Sequence, residues 1–295
     1  MERRRLTPGA LGSGGESVNY RDQLIDHLGV YKETVLGIAE PGIYRYRGRD
    51  IPCRHILPTA ERWHNILEPI RAAVRAYLKR HPEIELHRYF HHLNSSQAFA
   101  LNLFFPYFEG APDSARILLR AMGQEGTLYD RQWKLEDVPD KVEESNIDIV
   151  WMTASKTRTL CEVKLTETSF GKAKHDDHHL DKLWRLYEPR LRDRVDPELL
   201  QPEQFFRNYQ ILRNVWHLAG AEASKLIFLL PQANAESWRS VAAVLPRVRA
   251  DLRNAISIVS VENVISALCS DPTDVSLQEY ANRLADKYLL PSCAT

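Results

Sequence analysis

The stretch Ile147-Asp148-Ile149-Val150-Trp151-Met152-Thr153-Ala154-Ser155-Lys156-Thr157-Arg158-Thr159-Leu160-Cys161-Glu162-Val163-Lys164-Leu165 decides the fold. Both ends are rich in β-branched and aromatic residues and the centre is polar, so it reads as two strands, 147–153 and 158–165, joined by a turn over 154–157. Side chains alternate along a strand, which puts Glu162 and Lys164 on one face and turns Val163 into the core. Alone, such a pair fits an exposed ion pair on a solvated strand. Asp148 sharpens the reading. A two- or four-residue connection sets it opposite Val163, on the wrong face; a three- or five-residue connection, or a bulge, sets it on the face of Glu162 and Lys164. A shared site therefore requires an odd-length connection or a bulge.

Two carboxylates beside a lysine make a hard-cation site. Mg²⁺ suits a small set of oxygen ligands, with Mn²⁺ able to substitute, and the ion would lie on Asp148 and Glu162 with the Val163 backbone carbonyl as a third ligand. Such an ion polarises a phosphate and acidifies water, and the Lys164 ammonium orients that water or stabilises developing negative charge.

Outward from the hairpin, the chain before it is mainly helical. Thr59 caps an amphipathic segment to about Arg80 with Pro69 as a kink inside it. Ser95 and Ser96 start an apolar helix over 98–107, and another helix over 113–122 stops at Gly123. A further strand falls at 128–135. After the hairpin come a helix over 202–218, a strand over 225–230, a helix over 235–252 bent at Pro246, a strand over 255–261, and helices over 262–268 and 275–288. The early strands pair as an antiparallel meander; the later ones need helical crossovers and are parallel. The expected fold class is α/β, a mixed central sheet flanked by helices.

The pattern Asp148…Glu162-Val163-Lys164 resembles the PD-(D/E)XK nuclease superfamily, whose restriction-endonuclease-like core runs αβββαβ, the order found over 95–230. His91-His92-Leu93-Asn94-Ser95-Ser96-Gln97-Ala98, Asn102-Leu103-Phe104-Phe105-Pro106, Glu162-Val163-Lys164-Leu165-Thr166-Glu167 with Phe170-Gly171, and Tyr209-Gln210-Ile211-Leu212-Arg213-Asn214 resemble a bacterial group of restriction-endonuclease-like proteins. Ile147 stands where the motif is named for proline. The resemblance implies Asp148 and Glu162 as metal ligands, Lys164 as the residue assisting the attacking water, and Gln210 as support for the site. It implies a Mg²⁺-dependent nuclease in which water attacks phosphorus and expels a 3′ oxygen. DNA is the expected substrate, in restriction or defence. An RNA-directed nuclease and a non-catalytic nucleic-acid-binding module of the same fold are the alternatives.

On a helix Gln210, Arg213 and Asn214 fall at i, i+3 and i+4, one face suited to phosphate or base contact, with Tyr209 beside it. Gln97 at a helix start either faces the site or closes a helix-terminal hydrogen bond. Glu143 and Glu144 read as a solvated turn, with either of them a candidate extra ligand. Arg45 and Arg47 alternate with Tyr44 and Tyr46, which suits stacking and phosphate contact or an edge strand with solvated arginines. His175-Asp176-Asp177-His178-His179 is rich in ligand types, yet without a fixed zinc spacing it reads as a solvated connection.

The domain reading is a flexible tail over 1–16, a mainly helical N-terminal extension over 17–90 packed on the core, and the nuclease core with C-terminal helices over 91–295. The 39 Lys+Arg balance 39 Asp+Glu in 295 residues, so any anion binding must come from local clusters. Cys53, Cys161, Cys269 and Cys293 show no paired spacing, which fits reduced thiols. No apolar run follows Met1-Glu-Arg-Arg-Arg, and the longest, over 226–231, is too short for a bilayer. These features predict a cytoplasmic protein without a membrane partner. A homodimer would bring two active sites to a duplex.

Overall fold

The computed structural model describes residues 19–111, 113–167, 170–220 and 224–291. The expected tail over 1–16 lies outside them. In chain order the elements are α1 (Tyr20–Thr34), β1 (Gly42–Tyr46), β2 (Arg49–Cys53), α2 (Glu68–Arg80), α3 (Ser96–Phe108), α4 (Ser114–Ala121), β3 (Leu128–Asp137), β4 (Ile147–Thr153), β5 (Arg158–Val163), α5 (Asp177–Lys182), α6 (Glu188–Leu191), α7 (Pro202–Arg207), α8 (Tyr209–Ala219), β6 (Ser224–Leu230), α9 (Ala235–Val244), α10 (Ala250–Arg253), β7 (Ile256–Ser260), α11 (Val261–Cys269) and α12 (Val275–Tyr288). One five-stranded sheet has the order β3-β4-β5-β6-β7. The first three strands are antiparallel, and β5, β6 and β7 are parallel. The protein is a mixed α/β fold with helices on both faces of this sheet, consistent with a restriction-endonuclease-like core.

The two faces carry separate cores. Ile149, Trp151, Cys161, Val163, Ile227 and Leu229 pack with α3 on one face. Val150, Leu160, Leu226, Phe228 and Leu230 pack with the helices between β5 and β6 on the other. This alternation is the period-2 rule applied to a sheet buried on both sides. Helix α3 is apolar all round, with every residue after Ser96 buried. Phe104 and Phe108 stand 5.9 and 5.7 Å from Trp151, centroid to centroid. Each such buried ring contributes about 1.5–3 kcal/mol of transfer free energy.

The 17–90 segment shares this core: Leu24, Leu28, Ile66 and Val74 belong to the same cluster as Phe99 and Trp151. It holds two helices and also a separate two-stranded hairpin, β1–β2. Asn102, fully buried, ties the parts together. Its Oδ1 accepts from Leu67 N (2.9 Å), and its Nδ2 donates to the Asn65 carbonyl (2.9 Å) and to Tyr288 Oη (2.7 Å).

Several sequence-based boundaries shift for local reasons. The segment expected to run as one helix from Thr59 to Arg80 is a 3₁₀ turn, Thr59–Asn65, followed by α2. Pro69 does not kink it but sits in the first turn, where its missing N–H costs nothing. The helix expected over 202–218 breaks at Asn208 into α7 and α8. The 235–252 helix ends before Pro246, in a 3₁₀ turn. Among the described residues no helix is long and apolar enough to cross a membrane. Cys53, Cys161 and Cys269 are free thiols.

Helix α12 carries Lys287 into the core, where among the described residues no carboxylate pairs with it. Its Nζ donates to the Asn65 carbonyl (2.6 Å) and Oδ1 (2.8 Å) and lies 4.9 Å from the Tyr288 ring centroid. Burial, with Arg71 adding to it, pushes its pKa well below the ordinary lysine value. The unfolded chain therefore binds a proton that the folded chain does not, and stability rises with pH between the folded and unfolded pKa values. Lys287→Met removes this linkage. Wild type should gain stability relative to the variant by up to about 1.4 kcal/mol per pH unit as pH rises toward the ordinary lysine pKa in urea titrations. Taking the difference cancels the tyrosines and Cys161; a difference independent of pH would show that Lys287 is charged in the fold.

Candidate active site

In the β4–β5 ladder Ile149 stands opposite Cys161, Val150 opposite Leu160 and Met152 opposite Arg158. Thr153 N donates to the Thr157 carbonyl (2.9 Å), and Lys156 turns the chain at φ 64°. The connection is therefore odd in length. The same register continued one residue sets Asp148 across from Glu162, on the face that meets α8. At this end of the ladder Asp148 Oδ2 accepts from Val163 N (2.7 Å), so the carboxylate takes the place of a backbone acceptor.

Glu162 is 1% exposed and has three donors. Lys164 Nζ reaches its Oε1 at 2.6 Å; Arg213 Nη2 and Asn214 Nδ2 each reach its Oε2 at 3.1 Å. Two donors fill Oε2, while Oε1 keeps one lone pair. Burial pushes the Glu162 carboxyl up, but Lys164 and Arg213 outweigh it and hold the group below its usual range. Burial likewise lowers Lys164, and the charges of Glu162, Asp148 and Glu167 more than reverse this, so its ammonium stays protonated. Asp148 goes the other way. Burial, then the charges of Glu162 and Glu136, lift it well above the carboxylate range against Lys164 and the Val163 N–H.

Asp148 lines a cleft of about 730 Å³ between the end of the sheet and the start of α3, with Gln97, Glu136, Glu167, Tyr89 and His92. Gln97 both closes the chain before α3 and faces the site. Its Oε1 accepts from His87 N (2.8 Å), while Nε2 donates to the Glu85 carbonyl (2.9 Å) and to Glu136 Oε1 (3.1 Å). Ser95 caps α3 by accepting from Ala98 N, which fixes the direction in which Gln97 leaves the helix.

The α8 face divides its work. Arg213 and Asn214 reach Glu162. Gln210 does not: its Oε1 accepts from Gly171 N (2.8 Å) and its backbone N–H donates to the Gly171 carbonyl (3.3 Å), so it clamps the backbone at Gly171. Tyr209 Oη donates to Glu143 Oε1 (3.0 Å) and anchors the start of α8.

Glu143 departs from the expected solvated turn. It is fully buried and accepts from Tyr187 Oη (2.7 Å), Tyr209 and Ser145, with His217 and Lys182 close by. Burial raises its carboxyl, but these partners hold it down at about 2. Nothing in Lys141-Val142-Glu143-Glu144 distinguishes it from its neighbour in sequence. Glu144 is exposed, with φ 62°, and stays a turn residue outside the cleft lining. The 175–179 stretch is also corrected: α5 begins at Asp177, because Asp176 accepts from His179 N (3.0 Å) and caps it. Arg45 pairs with Asp50 (2.8 Å) across the β1–β2 hairpin, and Arg47, at the turn with φ 49°, lies 5.2 Å over Tyr46. Tyr44 links that hairpin to the cleft wall, 5.8 Å from Tyr89 and 5.9 Å from His92.

The residues present fit a divalent cation. Asp148, Glu136 and Glu162 set three carboxylates against the two cations Lys164 and Arg213. Asp148 Oδ1 has no hydrogen bond among the described residues. Buried Arg213 Nε and Asn214 Oδ1 lack partners beside Glu162. No three His, Cys, Asp or Glu side chains among the described residues make a metal site by themselves. Mg²⁺ does not need three: it is commonly held by one or two carboxylates and completes its shell with water and phosphate.

A comparison with family models decides the affiliation. The one described as REase-ARP, Restriction Endonuclease associating with ARP, matches residues 25–289. The chain belongs to the REase-ARP family. No curated protein and no solved structure matches it. The REase-ARP match begins within α1 and ends just after α12, so it spans the N-terminal extension and the sheet together, as the shared core does.

Proposed function

We propose that this REase-ARP protein is a Mg²⁺-dependent endonuclease of the PD-(D/E)XK type that hydrolyses DNA phosphodiester bonds in restriction or defence. The observation that carries the proposal is the placement of Asp148 across from Glu162, with the Lys164 ammonium 2.6 Å from Glu162, at the edge of an open cleft. Asp148, the remaining lone pair of Glu162 Oε1 and the Val163 carbonyl would hold the ion. When bound, it polarises the phosphate and makes water more acidic.

The chain's own groups do the rest. Lys164, kept protonated by Glu162, cannot accept a proton; it stabilises negative charge as water attacks phosphorus and the 3′ oxygen leaves. Arg213 and Asn214 fix the Glu162 rotamer. Gln210 and Gly171 hold the loop beside Lys164, whose Nζ lies 5.6 Å from the Phe170 ring centroid. Tyr44, Tyr89 and the arginines of the β1–β2 hairpin continue the cleft wall outward and offer stacking and phosphate contacts.

The test is incubation with supercoiled plasmid, linear duplex and RNA, each with Mg²⁺, Mn²⁺ or EDTA. Nicked or linear plasmid with either metal and none with EDTA is the expected result. Cleavage confined to RNA would make the protein a ribonuclease. Binding without turnover on any substrate would make it a non-catalytic module.

A further inference from the structure

We infer that Glu136 is a working member of the cation pocket, facing the ion beside Asp148 and reaching it through water. This rests on the metal-dependent reading above and deepens it.

Glu136 lies near the end of β3. Leu135 pairs with Ile149 and Asp137 with Ile147, so Glu136 is the cross-strand neighbour of Asp148. Such neighbours have Cβ atoms about 4.5–5.5 Å apart. Both line the same cleft, whereas Glu162 does not. Glu162 offers one lone pair after Lys164, Arg213 and Asn214 are served, so a cation entering from the cleft meets Asp148 and Glu136 first.

The aim of Glu136 is fixed by neutral donors. Gln97 Nε2 holds Oε1 at 3.1 Å and Asn146 Nδ2 holds Oε2 at 3.2 Å. Gln97 is in turn locked to the backbone at Glu85 and His87. Among the described residues neither Glu136 nor Asp148 forms an ion pair, whereas the neighbouring Asp137 pairs with Lys134 and Arg158. Two adjacent carboxylates oriented by amides, with Arg21 in the same cleft and Lys164 nearby but no direct ion pair to either, form an arrangement that a cation completes. Mg²⁺ commonly keeps part of its water shell, so a carboxylate beside the Asp148 ligand can act on the ion through a retained water.

The experiment is Mn²⁺ binding by electron paramagnetic resonance, without DNA, for wild type, Asp148→Asn and Glu136→Gln, with melting measured in EDTA. Wild type should bind, Asp148→Asn should lose binding, and Glu136→Gln should bind about tenfold more weakly with its melting in EDTA preserved. Unchanged affinity in Glu136→Gln would overturn the role of Glu136 and leave the site reading standing. No Mn²⁺ binding by wild type would overturn both. Should Glu136→Gln not fold, Glu136→Ala, which presents nothing to clash with Gln97 and Asn146, carries the same readout.

Discussion

Asp148→Asn is expected to lower plasmid cleavage by about 100–1000-fold, the cost of losing one preorganised electrostatic partner of the reaction. Asparagine keeps an oxygen for the Val163 N–H, so the β4–β5 ladder should survive. Lys164→Ala should lose activity to a similar extent by removing the ammonium. Stability should move the other way for Asp148→Asn. In the metal-free protein burial and the charges of Glu162 and Glu136 hold the Asp148 carboxyl well above its unfolded value. A raised carboxyl means that the folded state binds the extra proton. Its contribution is fully present below the unfolded pKa and is lost as pH rises through the folded one. Wild type in EDTA should therefore carry a penalty near neutral pH that Asp148→Asn lacks, and the variant should melt higher there. Cleavage by Asp148→Asn at the wild-type rate would remove Asp148 from the site.

Glu162→Ala should cost about 3–5 kcal/mol, the range seen when one partner of a buried pair is removed. Alanine leaves Lys164 and Arg213, both largely buried, without the carboxylate that each contacts. Glu162→Gln should cost less, because the amide oxygen can still accept from Asn214. Adding Arg213→Met to Glu162→Ala should recover part of the loss, since one stranded charge disappears. The pH dependence has the opposite sign to that of Asp148. Glu162 is held below its unfolded value, so its stabilisation is present above about pH 4.3 and is lost as pH falls through the folded pKa. Urea titration of the four proteins checks this. A loss below about 1 kcal/mol for Glu162→Ala would mean that the pair is solvated.

The strands were legible because the sheet is buried on both faces and its residues advertise that burial. Ile147–Thr153 stands where the composition put it, and β5 ends at Val163, two residues before the expected end. Helix ends were less legible. Pro69, Asn208 and Pro246 each mark a break, but whether a proline kinks a helix or starts one depends on what packs before it.

The site was legible in part for a similar reason. Asp148, Glu162 and Lys164 belong to one hairpin, so the parity of one turn decides whether they meet. Gln210 was expected to support the site from the α8 face it shares with Arg213 and Asn214, and its amide bonds the Gly171 backbone instead of Glu162. That contact depends on the path of a loop with no periodicity to read. Glu136 was missed because β3 slips register between Leu128 and Trp133, with Asp130, Arg131 and Glu136 at positive φ. An irregular strand does not reveal in sequence which residue faces Asp148 across the ladder.

The amino-acid sequence by itself determined the order of elements, the two-sided burial of the central strands and the three chemical groups of the hairpin, because alternation and turn parity are local properties. Only the tertiary structure decided that Glu162 is held by Lys164, Arg213 and Asn214, that Glu143 is a buried anchor, and that Asp148 and Glu136 face the cleft. Those outcomes depend on which side chains from distant segments arrive first at each carboxylate, and local patterns carry no record of that competition.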